Sequence, residues 1–115
     1  MSNLYDGSEN RKYSKVYKTE TPDILEAFAA FDNAVFASEG RAIPLKYREL
    51  IALGVAMTTQ CSFCIDAHTK GALKAGANDT EIAEAAWVAA ALRAGGAFTH
   101  GRMALQVSDS VSHDH

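Results

Sequence analysis

Glu49 to His68 reads E-L-I-A-L-G-V-A-M-T-T-Q-C-S-F-C-I-D-A-H. Both cysteines of the chain lie in it, as Cys61-Ser62-Phe63-Cys64, with the first of its four histidines. If Cys61 to about Ala75 is helical, Cys61 and Cys64 stand at i,i+3, and Cys64 and His68 at i,i+4. Pairs at these spacings share a helix face, with Cβ atoms about 5–6 Å apart. Two thiols at that range can close a disulfide, which needs a Cα separation of about 4.4–6.8 Å. An imidazole one turn beyond Cys64 can take its proton, and the thiolate is the nucleophilic form.

Glu49 joins this group only if the chain turns back. On one unbroken helix it would lie ~18 Å from Cys61 along the axis, at ~1.5 Å per residue. Threonine is a good N-cap and a mediocre helix-interior residue, so a break is expected at Thr58-Thr59-Gln60. Two helices then pack side by side and Glu49 returns toward the thiols. The break also puts both cysteines in the first turns of a helix, where free N–H groups and the macrodipole favour an anion.

The pattern Glu49-x11-Cys61-x2-Cys64-x3-His68 resembles the core signature of the AhpD-like alkylhydroperoxidases, within the carboxymuconolactone decarboxylase superfamily. The flanks are similar too: Arg48-Glu49-Leu50-Ile51-Ala52-Leu53 before it and His68-Thr69-Lys70-Gly71-Ala72-Leu73-Lys74-Ala75-Gly76-Ala77 after it. The likeness extends over roughly residues 20 to 105, taking in the helix from Glu84-Ala85-Ala86 to Gly96. It implies an all-α fold, a compact helical bundle of five or six helices, assembled as a homo-trimer or homo-hexamer. It also implies peroxidase chemistry with no cofactor. Carried over position by position, Cys64 looks like the thiol that attacks a hydroperoxide and Cys61 its disulfide partner. His68 and Glu49 look like the proton relay that activates Cys64. A thiol reductant, whether lipoyl, thioredoxin-like or small-molecule, would reset the pair. Some members carry a histidine between the cysteines; Phe63 stands there in this chain. The decarboxylase branch does not depend on two such cysteines, so their presence points away from lactone decarboxylation.

Two other readings use the same residues. Cys61, Cys64, His68 and Glu49 offer zinc a set of N, S and O ligands, although three ligands on one short helix make a cramped tetrahedron. Alternatively, the chain is a superfamily enzyme acting on enolates or lactones, or an assembly protein with a vestigial redox pair.

Length and composition frame these readings. At 115 residues and 48% hydrophobic residues, the chain fits one globular domain. A formal charge of -3 argues against nucleic acid as partner, because that binding usually needs a basic face. No apolar run approaches the ~20 residues of a membrane span, and the N-terminus has no apolar signal-peptide core. A redox-spaced cysteine pair fits a reducing cytoplasm.

Residues 1–18 form a polar arm, either mobile or pinned across a neighbouring subunit by Tyr5, Tyr13 and Tyr17. The domain follows over residues 19–107. Its first helix starts at Thr21-Pro22-Asp23, with a cap candidate, a proline at the first helical position and an acid in the first turn. Ile24, Phe28, Phe31 and Val35 then recur at i, i+4, i+7 and i+11, flanked by Leu25 and Phe36, and read as core. This helix is expected to end near Ser38-Glu39-Gly40. A second helix runs from about Pro44 to Met57, with Lys46 and Arg48 solvated or paired with acids. The cysteine-bearing helix stops at Gly76, a natural C′ residue. Asn78 and Glu81 are spaced as a capping box for an alanine-rich helix from about Asp79 to Ala94. Gly95-Gly96 is expected to kink that helix before it resumes to about Leu105. Trp87 is core on a second face or an interface anchor. His100 assists chemistry or lies at the helix surface. Residues 108–115 read as a disordered tail, in which His113 and His115 flank Asp114.

Overall fold

A computed structural model describes residues 11–113. After a 3-10 turn at Arg11–Tyr13, five α-helices follow: α1 (Ser14–Glu20), α2 (Pro22–Val35), α3 (Leu45–Thr59), α4 (Ser62–Lys74) and α5 (Asp79–His113). No strand occurs among the described residues, as the all-α expectation requires.

The break between α3 and α4 falls where the threonines place it. Gln60 takes the left-handed conformation, φ 59°, as the C-cap of α3. The backbone N–H groups of Gln60 and Cys61 both donate to the Ala56 carbonyl. The threonines do not cap α4; their hydroxyls donate back to Val55 at 2.7 and 3.1 Å. Such back-bonding satisfies the side chains inside a closing helix turn.

α4 ends in a Schellman arrangement. Gly76 adopts φ 100°, its N–H donates to Leu73, and the Ala77 N–H reaches back to Ala72 at 2.9 Å. Asn78 then caps α5, its side chain accepting from the Glu81 N–H at 2.9 Å while Glu81 accepts from the Asn78 N–H at 3.0 Å. Lys46 on α3 pairs with the same Glu81 at 2.9 Å. The Glu81 hydrogen bond holds the Lys46 ammonium above its ordinary range. Lys46, then the Asn78 N–H, holds the Glu81 carboxyl below its own.

Helices α3, α4 and α5 form the packed unit. Its centre is small: Leu53, Ala72 and Ala77 are buried, with Leu50, Met57 and Ile82 against them. Leu53 is the one large side chain fully out of water among the described residues. α3 is the central element, packed against α4 on one side and α5 on the other.

Several expectations need correction. The stripe Ile24, Phe28, Phe31 and Val35 is not core within the chain: Phe28 is 62% exposed and Phe31 66%. α2 packs chiefly against α1 and projects from the α3–α4–α5 unit. The radius of gyration is 19.7 Å, against ~13 Å for a compact chain of this length. α2 also stops at Val35 rather than near Ser38. Gly95-Gly96 interrupts nothing, and α5 runs unbroken through residues 108–113, set apart above as a tail. No proline stops it, and Val107 and Val111 continue an i,i+4 apolar row. Residues 11–18 of the arm are already helical, with Tyr13 and Tyr17 exposed. Tyr5, Asp114 and His115 lie outside the described residues, as does the side chain of His113.

Leu53→Ala removes the largest apolar side chain that α3 buries, from a centre shared with Ala72, Ala77, Leu50, Met57 and Ile82. Loss of about 2–5 kcal/mol of stability is expected, read by denaturant unfolding. A cost well under that range would show that this centre is not what holds the helices together.

Candidate functional site

Cys61 is the residue on which α4 starts. It sits at the N-cap in extended conformation, and its sulfur accepts a hydrogen bond from the Cys64 N–H at 3.3 Å. A thiol at this position meets one of the unpaired N–H groups that open every helix, a setting that favours thiolate. Cys61 and Cys64 are joined as a disulfide, with Cα atoms 5.3 Å apart. Both are half-buried.

One turn beyond Cys64, His68 occupies the i+4 position of the same helix. Its Nδ1 lies 2.7 Å from Glu49 Oε2, across the gap between α4 and α3. Glu49 is buried, with 7% of its surface exposed, and is the one buried charged residue among those described. The carboxylate is an acceptor, so the Nδ1–H donates to it and the neutral imidazole keeps Nε2 free to accept a proton. Gly71 makes room for this arrangement. A Cβ at that position would stand 2.7 Å from the Glu49 Cδ.

The surroundings fix the ring from a second side. Phe36, just past α2, stacks on His68 with ring centroids 4.7 Å apart and planes inclined by 32°. Phe36 is held by Arg48, whose guanidinium donates to the carbonyls of Val35, Ala37 and Ile43, the last two at 2.6 and 2.9 Å. Neither solvation nor an acid partner describes Arg48, therefore. It clamps the α2–α3 connection by filling backbone acceptors that α2 leaves open at its C-terminus.

The structure pairs the four residues singled out in the sequence two by two, Cys61 with Cys64 and His68 with Glu49. Phe36 and Arg48 were missed as parts of the site. Phe36 continues the apolar row of α2, and nothing local separates it from the aromatics before it. Arg48 reads as one more surface charge until the loop it grips is folded. Among the described residues no group of three or more His, Cys, Asp and Glu side chains is placed to hold a metal ion. His100 stands apart, exposed on α5, with its Nδ1 3.1 Å from the Gly96 carbonyl. No described helix is long and apolar enough to cross a membrane.

The arrangement can move a proton and two electrons. A cysteine pair at this spacing can cycle between dithiol and disulfide, and an imidazole bonded to a buried carboxylate can act as acid or base toward a nearby thiol.

The carboxymuconolactone decarboxylase family matches over residues 22–106. The chain is 46% identical over 88 residues to a Paracoccus denitrificans protein named uncharacterized protein 4 in cox locus, covering 76% of this chain and 78% of that one. It is 49% identical over 51 residues to an uncharacterized protein of Haemophilus influenzae, a match covering 44% of this chain and 43% of the relative. A crystal structure of a Methanobacterium thermoautotrophicum protein superposes with a TM-score of 0.67 at 32% identity, covering 75% of this chain and 97% of the other.

Proposed function

For a chain that belongs to the carboxymuconolactone decarboxylase family, we propose the function of a cofactor-free thiol peroxidase that reduces hydroperoxides through Cys61 and Cys64. The observation that carries this reading is the 2.7 Å bond between His68 Nδ1 and the buried Glu49, one helical turn from a redox-paired Cys64. A lactone decarboxylase has no use for two sulfurs in bonding range beside that pair.

In this mechanism His68 Nε2 takes the proton of the Cys64 thiol, and Glu49 stabilises the imidazolium that results. The thiolate attacks the terminal peroxide oxygen and the O–O bond breaks. Cys64 becomes a sulfenic acid, and the leaving alkoxide takes the proton from His68 and departs as an alcohol. Cys61 then attacks the Cys64 sulfur. The S–O bond breaks, the hydroxide takes a proton to leave as water, and the disulfide closes. An external dithiol supplies the two electrons that reopen it, leaving as its own disulfide. The reductant is of the lipoyl, thioredoxin-like or small-molecule class, and the cycle fits a reducing cytoplasm. The working form is a homo-trimer or homo-hexamer, in keeping with the apolar surface the single chain leaves open.

Two influences compete over which thiol attacks. The N-cap position stabilises a thiolate at Cys61, whereas the relay lies on the face of Cys64. In our assignment the relay prevails, because it both removes the proton and returns it to the leaving group.

Glu49→Gln keeps the shape and an oxygen that can accept from His68, so the melting temperature should barely move. Peroxide turnover should fall by about 10²–10⁴-fold, the usual loss when general-base catalysis fails. Loss of fold with no separate loss of rate would place Glu49 in the structural class and remove the relay.

Alkylation rates against pH in the Cys61→Ser and Cys64→Ser variants decide the roles. Cys64, measured in the Cys61→Ser variant, should react at the lower pH. The reverse order would make Cys61 the attacking thiol.

A further inference from the structure

Helices α3 and α5 leave an apolar groove open between them, about 590 Å³ in volume. Its walls carry Ile51 and Val55 from α3 and Val88 and Leu92 from α5, all exposed. Its floor is lined by small residues, Gly54, Ala85 and Ala89. On the same chain, α2 carries an exposed stripe of bulky apolar side chains, Ile24, Phe28, Phe31 and Val35. We propose that the α2 stripe of one copy docks in the α3–α5 groove of a second copy. This inference does not depend on the redox reading of the site.

The dimensions agree. Ile24 to Val35 and Tyr47 to Thr58 span the same number of residues, ~17 Å at ~1.5 Å per residue. Along that length large side chains meet small ones: the rings of Phe28 and Phe31 find room where Gly54, Ala85 and Ala89 stand. An amphipathic helix laid in an apolar groove is a recurrent mode of association. The alternative of α2 folding back into its own groove is opposed by its root. The Val35 and Ala37 carbonyls are gripped by Arg48 and the Ala34 carbonyl by Arg41 Nε at 3.1 Å, so α2 leaves the α3–α4–α5 unit in a set direction. The extended outline, 60 × 37 × 34 Å, is that of a chain whose missing core is supplied from outside.

Docking also reaches the site. Phe36, which stacks on His68, directly follows α2. Seating α2 in a neighbour steadies the ring that holds the imidazole in register with Glu49.

Cross-linking tests the pairing directly. In a Cys61→Ser/Cys64→Ser background, chains carrying Phe28→Cys are mixed with chains carrying Ile51→Cys, Val55→Cys or Val88→Cys and oxidised. At least one mixture should give a disulfide-linked pair of the two different chains, confirmed by mass of the linked peptides. A link within one chain when both cysteines are placed on it, with none between copies, would overturn the proposal. So would no link in any mixture, the result expected of a groove that holds a small apolar ligand. Independently, with native cysteines, Phe28→Glu and Val55→Glu should each lower the assembled mass in light scattering while circular dichroism keeps its helical signal. A native chain that scatters as a 12.3 kDa monomer at micromolar concentration, or an assembly indifferent to both substitutions, would overturn it as well.

Discussion

The 2.7 Å hydrogen bond between His68 and the buried Glu49 is the constraint on which the mutual register of α3 and α4, and with it the arrangement of the candidate site, depends. A carboxylate taken out of water needs a partner, since an unpaired buried charge is costly. The partner comes from the next helix, so α3 and α4 must lie antiparallel and in one register. The left-handed turn at Gln60 makes the reversal, the double acceptance at the Ala56 carbonyl closes it, and Gly71 clears the space in which the carboxylate lies. Shifting either helix by one residue would carry Glu49 or His68 off the shared face. The same reversal leaves Cys61 at the head of α4 and Cys64 one turn before His68, so the geometry that satisfies a buried charge also sets the cysteine pair and the imidazole on one helix.

Assembly and chemistry share the segment around Phe36 and Arg48. Arg48 adjoins Glu49 in sequence but serves the opposite task, holding the carbonyls at the end of α2 while Glu49 holds the imidazole. Backbone and relay are thereby locked to the same turn of α3. A helix that leaves this turn with its apolar face bare calls for a surface to cover it. The family is established by the match over residues 22–106, and the peroxidase cycle we propose is one that would use both the cysteine pair and the histidine–carboxylate pair.

Much of this was legible in the chain because it is written in local signals. The reversal at 58–60, the start at Pro22, the stop at Gly76 and the Asn78–Glu81 box each depend on neighbours within a few residues, where capping chemistry operates. Spacing and likeness to a known signature singled out the four candidate residues, and the two pairings they form, Cys61 with Cys64 and His68 with Glu49, follow from that spacing once the chain reverses. What could not be read depends on distance or on partners. The row Ile24, Phe28, Phe31 and Val35 is apolar at helical period, and periodicity reports that a face is to be covered, not by which chain. Arg48 has carbonyl acceptors up to thirteen residues away, which no local rule anticipates. Gly95-Gly96 failed as a break because glycine costs a helix only about 1 kcal/mol relative to alanine. That loss is easily carried by a helix of 35 residues.

The central claim is that Cys61 and Cys64 are a peroxide-oxidised pair driven by the Glu49–His68 relay. The most direct test titrates the fully reduced protein with a hydroperoxide and follows intact mass and peptide linkage. The account predicts loss of two hydrogens per chain at one equivalent of peroxide, located as a Cys61–Cys64 disulfide and reversed by a dithiol. Thiols that stay reduced through that titration, or that gain oxygen without forming the disulfide, would contradict it.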